Sequence, residues 1–429
     1  MNIRFSAPAL IFFFIGGMMY ISLNATAGEF QGSITSESRF FPVAPLYPEQ
    51  HGHNLSLSLQ GKYRHDWPSR NEYIVFSPFL RLDQHDNLRT HADIRELYWH
   101  KSASKWELRL GLCKVFWGVT ESQHLVDIIN QTDAVEGLSS TPKLGQLMLN
   151  FSWIQDWGTF DFYVMPMFRE RTFTGRRGRF RTPVPISDNE THYESSAREW
   201  HTDFAIRYSH YFGNWDVGVS HFSGTSRSPR YLAHIFGIAI SSDSPWANLT
   251  GGRIDSPLIR LLSSIPTARL IPYYDQIEQT GIDLQYILGE WTLKLEAIHR
   301  SGQERTYTAA TGGIEHTFYS VFNSPIDVTA ILEYMWDSRG SHALTPMQND
   351  FFFGTRIAFN DVQSTSIVSG TIVDAATGST AFGIEASRRI GSDWKASIEA
   401  RIFANIPSND ILTTIHKDDY IQAKLTWYF

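Results

Sequence analysis

The chain has 429 residues, of which 42% are hydrophobic, 14% aromatic and 19% charged, and its formal net charge is −7. These values exclude a disordered chain and a coiled coil, and the acidic balance gives no support for a nucleic-acid partner. A single cysteine, Cys113, excludes an intramolecular disulfide and a cysteine-built zinc site. The remaining unusual feature is the set of 13 Trp, 18 Tyr and 29 Phe in a chain of negative mean hydropathy. Such a composition favours a protein with an apolar outside and a wet inside.

The first 27 residues have the features of an export signal. Arg4 supplies a short positive region, residues 5–23 form an apolar run, and Ala25-Thr26-Ala27 matches the small-x-small pattern of a cleavage site. The alternative is a permanent membrane anchor, because the apolar run is long enough to span a bilayer. We predict a signal peptide, residues 1–27, that is cleaved after Ala27.

The rest of the chain alternates apolar and polar residues. In segments 54–65, 105–117, 291–300, 393–405 and 421–429, every second residue is apolar, which gives a strand one apolar face and one wet face. The last segment ends in the aromatic residue Phe429. It resembles the terminal strand of bacterial outer-membrane barrels, which the barrel-assembly machinery reads.

Short turns alternate with long connections along the chain. The long ones are 118–144, 171–197 and 224–278, whereas a soluble sandwich would have short loops at both ends. Strands that cross lipid must close into a barrel so that no edge is left unpaired. The sequence therefore predicts an all-β fold, a transmembrane antiparallel up-and-down β-barrel with long extracellular loops, in the bacterial outer membrane.

The number of strands depends on residues 28–53. Counting back from the last strand gives 18 strands if this N-terminal segment supplies the first one, and 16 is the alternative. A competing use of residues 28–53 is a small plug in the lumen, and residues 54–429 form the barrel in either case. A barrel of 16–18 strands is too wide for side chains alone to fill, so it encloses water or a plug.

Charged residues of both signs fall on the wet faces of the predicted strands. They form either a selectivity lining that faces across the pore or cross-strand ion pairs that stabilise the wall. The predicted pore-lining residues are Lys62, Arg64, Glu107, Arg109, Asp203, Arg207, Lys294, Glu296, Arg300, Glu385, Arg389, Lys395, Glu399 and Arg401.

Segment 118–144 is the predicted constriction loop. It combines a charged set with an apolar patch at 125–129, so it can fold into the lumen, and the alternative is a surface loop that packs on the rim. Its predicted charged residues are Glu121, His124, Asp127, Asp133 and Glu136. A calcium site from Asp127, Asp133 and Glu136 is a further alternative, although the spacing does not match an EF-type loop.

A second loop, at 176–181, is strongly basic, with four arginines in six residues. It can attract anionic solutes or bind phosphate groups of lipopolysaccharide, and the alternative is a solvated loop.

Several short runs resemble a poorly characterised group of proteobacterial outer-membrane proteins. In that group a strand closing in Trp-Gly, here Trp117-Gly118, leads to a loop with an Asn-Pro-x-Asp-like element, which here is Asn130-Gln131-Thr132-Asp133 without the proline. The other matching runs are Arg95-Glu96-Leu97-Tyr98, Pro272-Tyr273-Tyr274-Asp275-Gln276, Gln279-Thr280-Gly281 and Ser387-Arg388-Arg389. The resemblance implies an outer-membrane channel barrel and transport, and it implies no particular ligand.

Three functions remain open, and a channel for small solutes is the main prediction. The second is a plugged transporter of hydrophobic solutes with a lateral opening, for which Pro78 and Pro166 would kink the wall. The third is an outer-membrane hydrolase, for which His201 and Asp203 share a wet face, but neither Gly-x-Ser-x-Gly nor His-Glu-x-x-His occurs. We assign no catalytic residue, cofactor or metal, and expect as partners a small solute, outer-membrane lipid and lipopolysaccharide, and the barrel-assembly machinery. A homotrimer is left open.

Overall fold

The computed structural model describes residues 28–138, 142–235, 238–239, 262–263, 265, 267–303, 305–408 and 410–429. The predicted signal peptide, residues 1–27, lies outside the described residues. Eighteen antiparallel strands form one closed sheet, and we number them in chain order. They are β1 (Gly28–Phe40), β2 (His53–Trp67), β3 (Glu72–Asp83), β4 (His91–Ala103), β5 (Trp106–Cys113), β6 (Gln146–Gln155), β7 (Gly158–Met165), β8 (Asp203–Phe212), β9 (Trp215–Thr225), β10 (Gln276–Leu288), β11 (Trp291–Ser301), β12 (Tyr307–Phe318), β13 (Asp327–Asp337), β14 (Asn349–Ala358), β15 (Ser366–Asp374), β16 (Thr380–Ile390), β17 (Trp394–Ala404) and β18 (Tyr420–Tyr428).

The first and last strands close the barrel. β1 pairs with β2 along its whole length and with β18 from Ser33 to Phe40, so that Thr35 lies opposite Thr426. The backbone of Gly32 exchanges two hydrogen bonds with Phe429, at 2.8 and 3.0 Å. The prediction of an 18-stranded antiparallel barrel is confirmed. Residues 28–40 therefore lie in the wall, and not in the lumen as the plug alternative required.

The two ends of the barrel differ in the length of their connections. Gly28, Phe429 and the four two-residue turns, 104–105, 156–157, 213–214 and 289–290, lie at one end, which we call the turn end. The opposite loop end carries the three longest connections, 114–145, 166–202 and 226–275. β5 ends at Cys113, so Trp117-Gly118 lies beyond the strand and not at its end as the sequence predicted.

The outer surface is apolar because alternate residues of each strand point outward. Leu110, Leu293 and Ile398 are between 45% and 59% exposed near mid-strand. Exposed aromatic side chains gather where strands end, for example Trp291 and Trp394 at the turn end. An apolar band flanked by aromatic rings is typical of a transmembrane barrel.

Smaller elements lie outside the wall. Four short strands at the loop end, Arg230–Ile235, Ile238–Ala239, Arg269–Tyr274 and His192–Tyr193, form a second sheet. Single 3-10 turns occur at Pro68–Arg70, Arg198–Trp200, Val321–Asn323, Gly340–His342 and Ile411–Thr414. Among the described residues no helix is long and apolar enough to cross a membrane.

A β-bulge interrupts the pairing of β3 with β4 at Pro78. Ser77 lies opposite Glu96 and Pro78 opposite Ile94, so Arg95 has no partner residue on β3. Proline has no N–H to donate to the ladder, which makes a bulge the usual way to keep it inside a sheet. Arg95 is 5% exposed, and its guanidinium lies 4.3 Å from the ring centre of Phe79. The bulge therefore places an arginine inside the barrel where simple alternation would have turned it outward.

Candidate functional site in the barrel lumen

The connection between β5 and β6 folds into the barrel. We call residues 114–145 the lumen segment, of which 139–141 lie outside the described residues. Val126 and Ile129 are fully buried, as is the Asp133 side chain, although they belong to a connection and not to a strand. Loops normally run over the surface, so this burial shows that the segment is enclosed by the wall.

An apolar cluster holds the lumen segment against one side of the wall. Val126 and Ile129 pack in one cluster with Met148 of β6, Phe222 of β9 and Ile298 of β11. Apolar burial is the largest favourable term for a docked segment, at roughly 25 cal/mol per Å². The lumen segment therefore packs against the wall on the side of β5–β12, which we call the filled side.

The carboxylate of Glu296 on β11 fixes the tip of the lumen segment. It accepts hydrogen bonds from the backbone N–H groups of Val119 (2.8 Å), Thr120 (3.0 Å) and Val126 (3.2 Å) and from the Thr120 hydroxyl (2.7 Å). Gly118 has φ +130°, and a Cβ at this position would lie 2.7 Å from Glu296 Oε1. The glycine of the Trp-Gly pair thus allows the backbone to approach the carboxylate.

Contacts of the tip continue across the barrel. Glu333 of β13 accepts from the backbone N–H groups of Glu121 and Ser122, each at 2.8 Å. Glu121 in turn forms ion pairs with Lys294 at 2.9 Å and with Arg356 of β14 at 3.1 Å. β14 is nine strands from β5 in a ring of eighteen, so the segment reaches the opposite wall. Burial opposes ionisation of Glu121, but Lys294 and Arg356 outweigh it and hold the pKa of Glu121 below its ordinary value.

The return half of the lumen segment is anchored near the bulge. Asp133 forms an ion pair with Arg95 at 2.5 Å and accepts a hydrogen bond from the Thr172 hydroxyl at 2.7 Å. Glu136 accepts two hydrogen bonds from Arg81 of β3, at 2.9 and 2.7 Å. Arg95 and Asp133 both belong to the runs that carry the sequence resemblance, and the structure joins them.

His91, Asp133 and Glu136 come close enough to hold a metal, with ligand atoms within 4.8 Å of one another. Arg81 and Arg95 already neutralise the two carboxylates, however, and would repel a dication. Asp127 is not part of this group, since it forms an ion pair with Lys143 at 3.1 Å. The three carboxylates of the alternative calcium site are therefore not brought together. His124, the remaining predicted residue of the loop, lies 3.8 Å from Glu296.

The predicted pore-lining residues lie on inward faces by strand register, and their partners differ. On the filled side, Arg207 bonds Asp283 at 2.6 Å, while Arg300 donates to Gln279 Oε1 at 2.8 Å. Glu107 of the same side lies 3.3 Å from His100, and Arg109 is the next inward residue of β5. Arg207, Arg300 and Glu107 bond to neighbouring residues of the wall, and their role in lining a pore remains a prediction.

On the other side the lumen-facing charges stay accessible to water. Arg64 pairs with Asp66 at 2.7 Å, and Arg401 pairs with Glu399 at 2.9 Å. The other predicted residues on this side have no ion pair or hydrogen bond from their side chains to any described residue: Lys62, Glu385, Arg389 and Lys395. The structure therefore separates one predicted lining into a packed half and a wet half.

The pair considered for hydrolysis also forms. His201 Nδ1 lies 3.0 Å from Asp203 Oδ1. The same carboxylate accepts from Arg227 at 2.6 Å and from the Thr225 backbone at 2.9 Å. Asp203 is 1% exposed, and its hydrogen bonds hold Arg227, which in turn donates to the Ile129 carbonyl of the lumen segment. These contacts give Asp203 a structural role.

A second connection covers part of the loop end. We call residues 166–202 the mouth segment. Its Arg179 donates to Asp418 Oδ1 at 2.6 Å and to the Lys417 carbonyl at 2.6 Å, and lies 4.2 Å from the ring centre of Phe41. Gly175 donates to the carboxylate of Asp86 at 3.0 Å. The mouth segment therefore crosses from β7 to the connections beside β1, β3 and β18.

The basic run 176–181 belongs to this crossing. Arg179 and Arg181 are each 6% exposed, so the interpretation as a solvated loop is wrong for both of them. Only Arg176 and Arg177 of the four arginines keep exposed side chains.

We expect Arg179→Ala to release the mouth segment. The change leaves Asp418 buried without its cation, at a cost of about 3–5 kcal/mol. The measurement is limited chymotrypsin cleavage of the folded protein at Phe173 and Phe180, which should become at least about a hundredfold faster if opening limits cleavage.

The matched control is Arg176→Ala, three residues away in the same segment. Its guanidinium is 41% exposed and lies 3.7 Å from Glu49, so removal should change the docking free energy by about 0–1 kcal/mol. Equal cleavage of the two variants would show that Arg179 does not hold the mouth segment.

No protein-family model and no curated protein matches the chain. Two mutants of the porin of Rhodopseudomonas blastica are similar to it with a TM-score of 0.43 and 10% identity, covering 94% of this chain and 100% of theirs. A structure described as "Asymmetric conductivity of engineered proteins" has the same values. The closed pairing of the eighteen strands establishes the fold independently of these likenesses.

Proposed function

We propose that the protein is an outer-membrane channel through which small solutes pass, with the lumen segment as its constriction. The observation that carries the proposal is the path of that segment, which leaves β5, reaches Arg356 on the opposite wall and returns beside Arg95. The apolar outer band favours a membrane location, with the turn end in the periplasm and the loop end outside. A segment fixed at mid-lumen sets the width of whatever path remains.

The remaining path runs along the wet half of the lumen. Arg356, Lys424 and Arg401 have side chains that are 41%, 38% and 42% exposed, although all three point inward by register. Charged groups that keep their water inside a barrel line an aqueous space. Solutes that pass here meet charges of both signs, because Glu385 and Glu399 lie on the same face.

The test is the single-channel conductance of the refolded protein in a planar bilayer, with reversal potentials in a salt gradient. We expect discrete current steps well below those of a variant in which residues 119–128 are replaced by a short glycine linker. A folded but silent barrel would contradict the channel. Equal conductance of the wild type and the shortened variant would contradict the role of the lumen segment.

The alternatives gain less support. A plugged transporter needs a plug from residues 28–53, and residues 28–40 are a wall strand. Pro78 does distort the wall, but β3 and β4 remain paired on both sides of the bulge, which supports a closed wall. Lipopolysaccharide, the assembly machinery and a second or third copy of the chain remain proposed partners.

A further inference from the structure

A basic cavity lies between the lumen segment and the loop end. Its volume is about 490 Å³, and its walls come from the lumen segment, the mouth segment, residues 227–231 and the loop ends of β11, β12 and β13. Cavities of roughly 300–1,000 Å³ are typical of sites for small organic molecules. Six cations but only two carboxylates line it: Lys143, Arg171, Arg181, Arg227, Arg300 and Arg339, with Asp127 and Asp337.

Four of these cations have a carboxylate within 4 Å. The pairs are Lys143 with Asp127 at 3.1 Å, Arg227 with Asp203 at 2.6 Å, Arg339 with Asp337 at 2.6 Å, and Arg181 with Glu49 at 3.6 Å. Their charges are therefore largely compensated within the protein.

Arg300 and Arg171 differ from these four cations, because neither forms an ion pair with a carboxylate among the described residues. Arg300 is 8% exposed, and its hydrogen bonds go to the neutral amide oxygen of Gln279. The guanidinium of Arg171 makes no hydrogen bond or ion pair with any residue that the structure describes, while its backbone N–H donates to the Tyr274 hydroxyl at 2.9 Å. A cation withdrawn from water is unfavourable unless an anion compensates it. The cavity thus holds two guanidinium groups, neither of which forms an ion pair with a carboxylate among the described residues, although Asp337 lies near enough to attract Arg300.

The rest of the lining combines neutral polar side chains, such as Gln123, Asn130 and Gln303, with apolar and aromatic ones. Leu125, Ile298, Phe173 and Tyr231 contribute to the walls, together with Tyr307. The guanidinium of Arg339 lies 3.5 Å from the centre of the Tyr307 ring, and that of Arg300 lies 5.7 Å from it. Such walls favour a flat apolar body over a fully hydrated inorganic ion.

We propose that this cavity binds a small organic carboxylate with an apolar or aromatic body. The carboxylate compensates Arg300 and Arg171, and the body packs against Tyr307, Ile298 and the apolar wall. The cavity lies on the loop-end side of the constriction, so a solute that enters from that end would reach this site first. This role of the site rests on the proposed channel function.

Binding is tested by calorimetric titration of the full-length folded protein in micelles with sodium benzoate, with benzamide as the neutral molecule of the same shape. We expect saturable binding of benzoate at least roughly tenfold tighter than that of benzamide or inorganic phosphate. Arg300→Gln and Arg171→Gln should each weaken benzoate binding by about tenfold. Arg171→Gln removes no hydrogen bond or ion pair among the described residues, so it tests the charge with little disturbance of the wall, and its fold is checked by the heat-modified mobility of the barrel.

Arg388→Gln is the control, because Arg388 lies at the turn end in an exposed pair with Asp361 and should leave benzoate affinity unchanged. Equal affinity for benzoate and benzamide would overturn the role of charge, and phosphate binding as tight as benzoate would overturn the role of the apolar lining. Current steps in the bilayer without benzoate binding in micelles would overturn the site and leave the channel intact. Benzoate binding by a folded barrel that never conducts would instead overturn the channel.

Discussion

Replacing Glu296 by alanine should free the tip of the lumen segment and open a second, larger conductance level. The carboxylate accepts four hydrogen bonds from Val119, Thr120 and Val126, and its side chain has no exposure to solvent. Hydrogen bonds to a charged group contribute about 1.5–3 kcal/mol each, and they are not additive. A net loss of only about 3 kcal/mol would raise the undocked fraction of the tip by roughly a hundredfold. The measurement is the distribution of single-channel current levels.

The control for this variant is Glu385→Ala. Glu385 also faces the lumen, on β16, but it is exposed and forms no hydrogen bond or ion pair with the described part of the lumen segment. We expect the current levels of Glu385→Ala to resemble those of the wild type. The larger level should be less populated in Glu296→Gln than in Glu296→Ala, because the amide keeps one acceptor oxygen. A Glu296→Ala channel with a single level of wild-type size would show that the apolar cluster alone holds the segment.

Most of the fold follows from the period of the sequence. Alternation of apolar and polar residues and the spacing of turns predict both the barrel and the count of eighteen strands. β1 is the exception, because its own pattern is weak and its conformation comes from pairing with β2 and β18. The partner β18 lies more than 380 residues away in the sequence, so the strand could be inferred only from the requirement that the barrel close.

The contacts of the lumen segment are less predictable from the sequence than the fold, because they too depend on residues that are distant in the chain. The polarity and apolar patch of segment 118–144 predict a loop in the lumen, and they identify Glu121, Asp133 and Glu136. They do not identify the partners Glu333 and Arg356, because the path of a loop across a barrel is a tertiary property. Arg179 is a clearer case, since its partner Asp418 is 239 residues away and Arg179 is buried by such tertiary contacts.

The inward direction of Arg95 could have been predicted from a local feature of the sequence, Pro78 on the neighbouring strand. Strict alternation from Glu96 turns Arg95 outward, and a bulge opposite Pro78 reverses this direction. The sequence predicts a kink at Pro78, but a proline that interrupts a ladder also shifts the register of the neighbouring strand by one residue. Applied to β4, that rule predicts an inward arginine near the base of the lumen segment.

The second large effect is expected when Arg95 is replaced by methionine. Asp133 is fully buried and would lose the cation 2.5 Å away, which costs about 3–5 kcal/mol in the free energy of unfolding. Arg64→Met is the matched control. Arg64 and Asp66 form the same kind of pair at 2.7 Å, but both are more than 40% exposed, so the loss should be about 0–1 kcal/mol. Urea unfolding followed by tryptophan fluorescence in micelles measures both.

The dependence on pH separates a buried charge from lost packing. Burial opposes the ionisation of Asp133, but His91 and Arg95 outweigh it and hold its pKa below the ordinary value of 3.8. A carboxylate with a depressed folded pKa stabilises the folded state above the unfolded pKa, and this contribution is lost as the pH falls through the folded value. The deficit of Arg95→Met should therefore be complete at pH 7 and shrink below about pH 4. Adding Asp133→Leu should recover part of it at neutral pH, because the unpaired charge is then gone. A deficit that stayed constant with pH and was not relieved by Asp133→Leu would mean that Arg95 acts through its packing on Phe79, and that the bulge at Pro78 serves the wall and not the lumen segment.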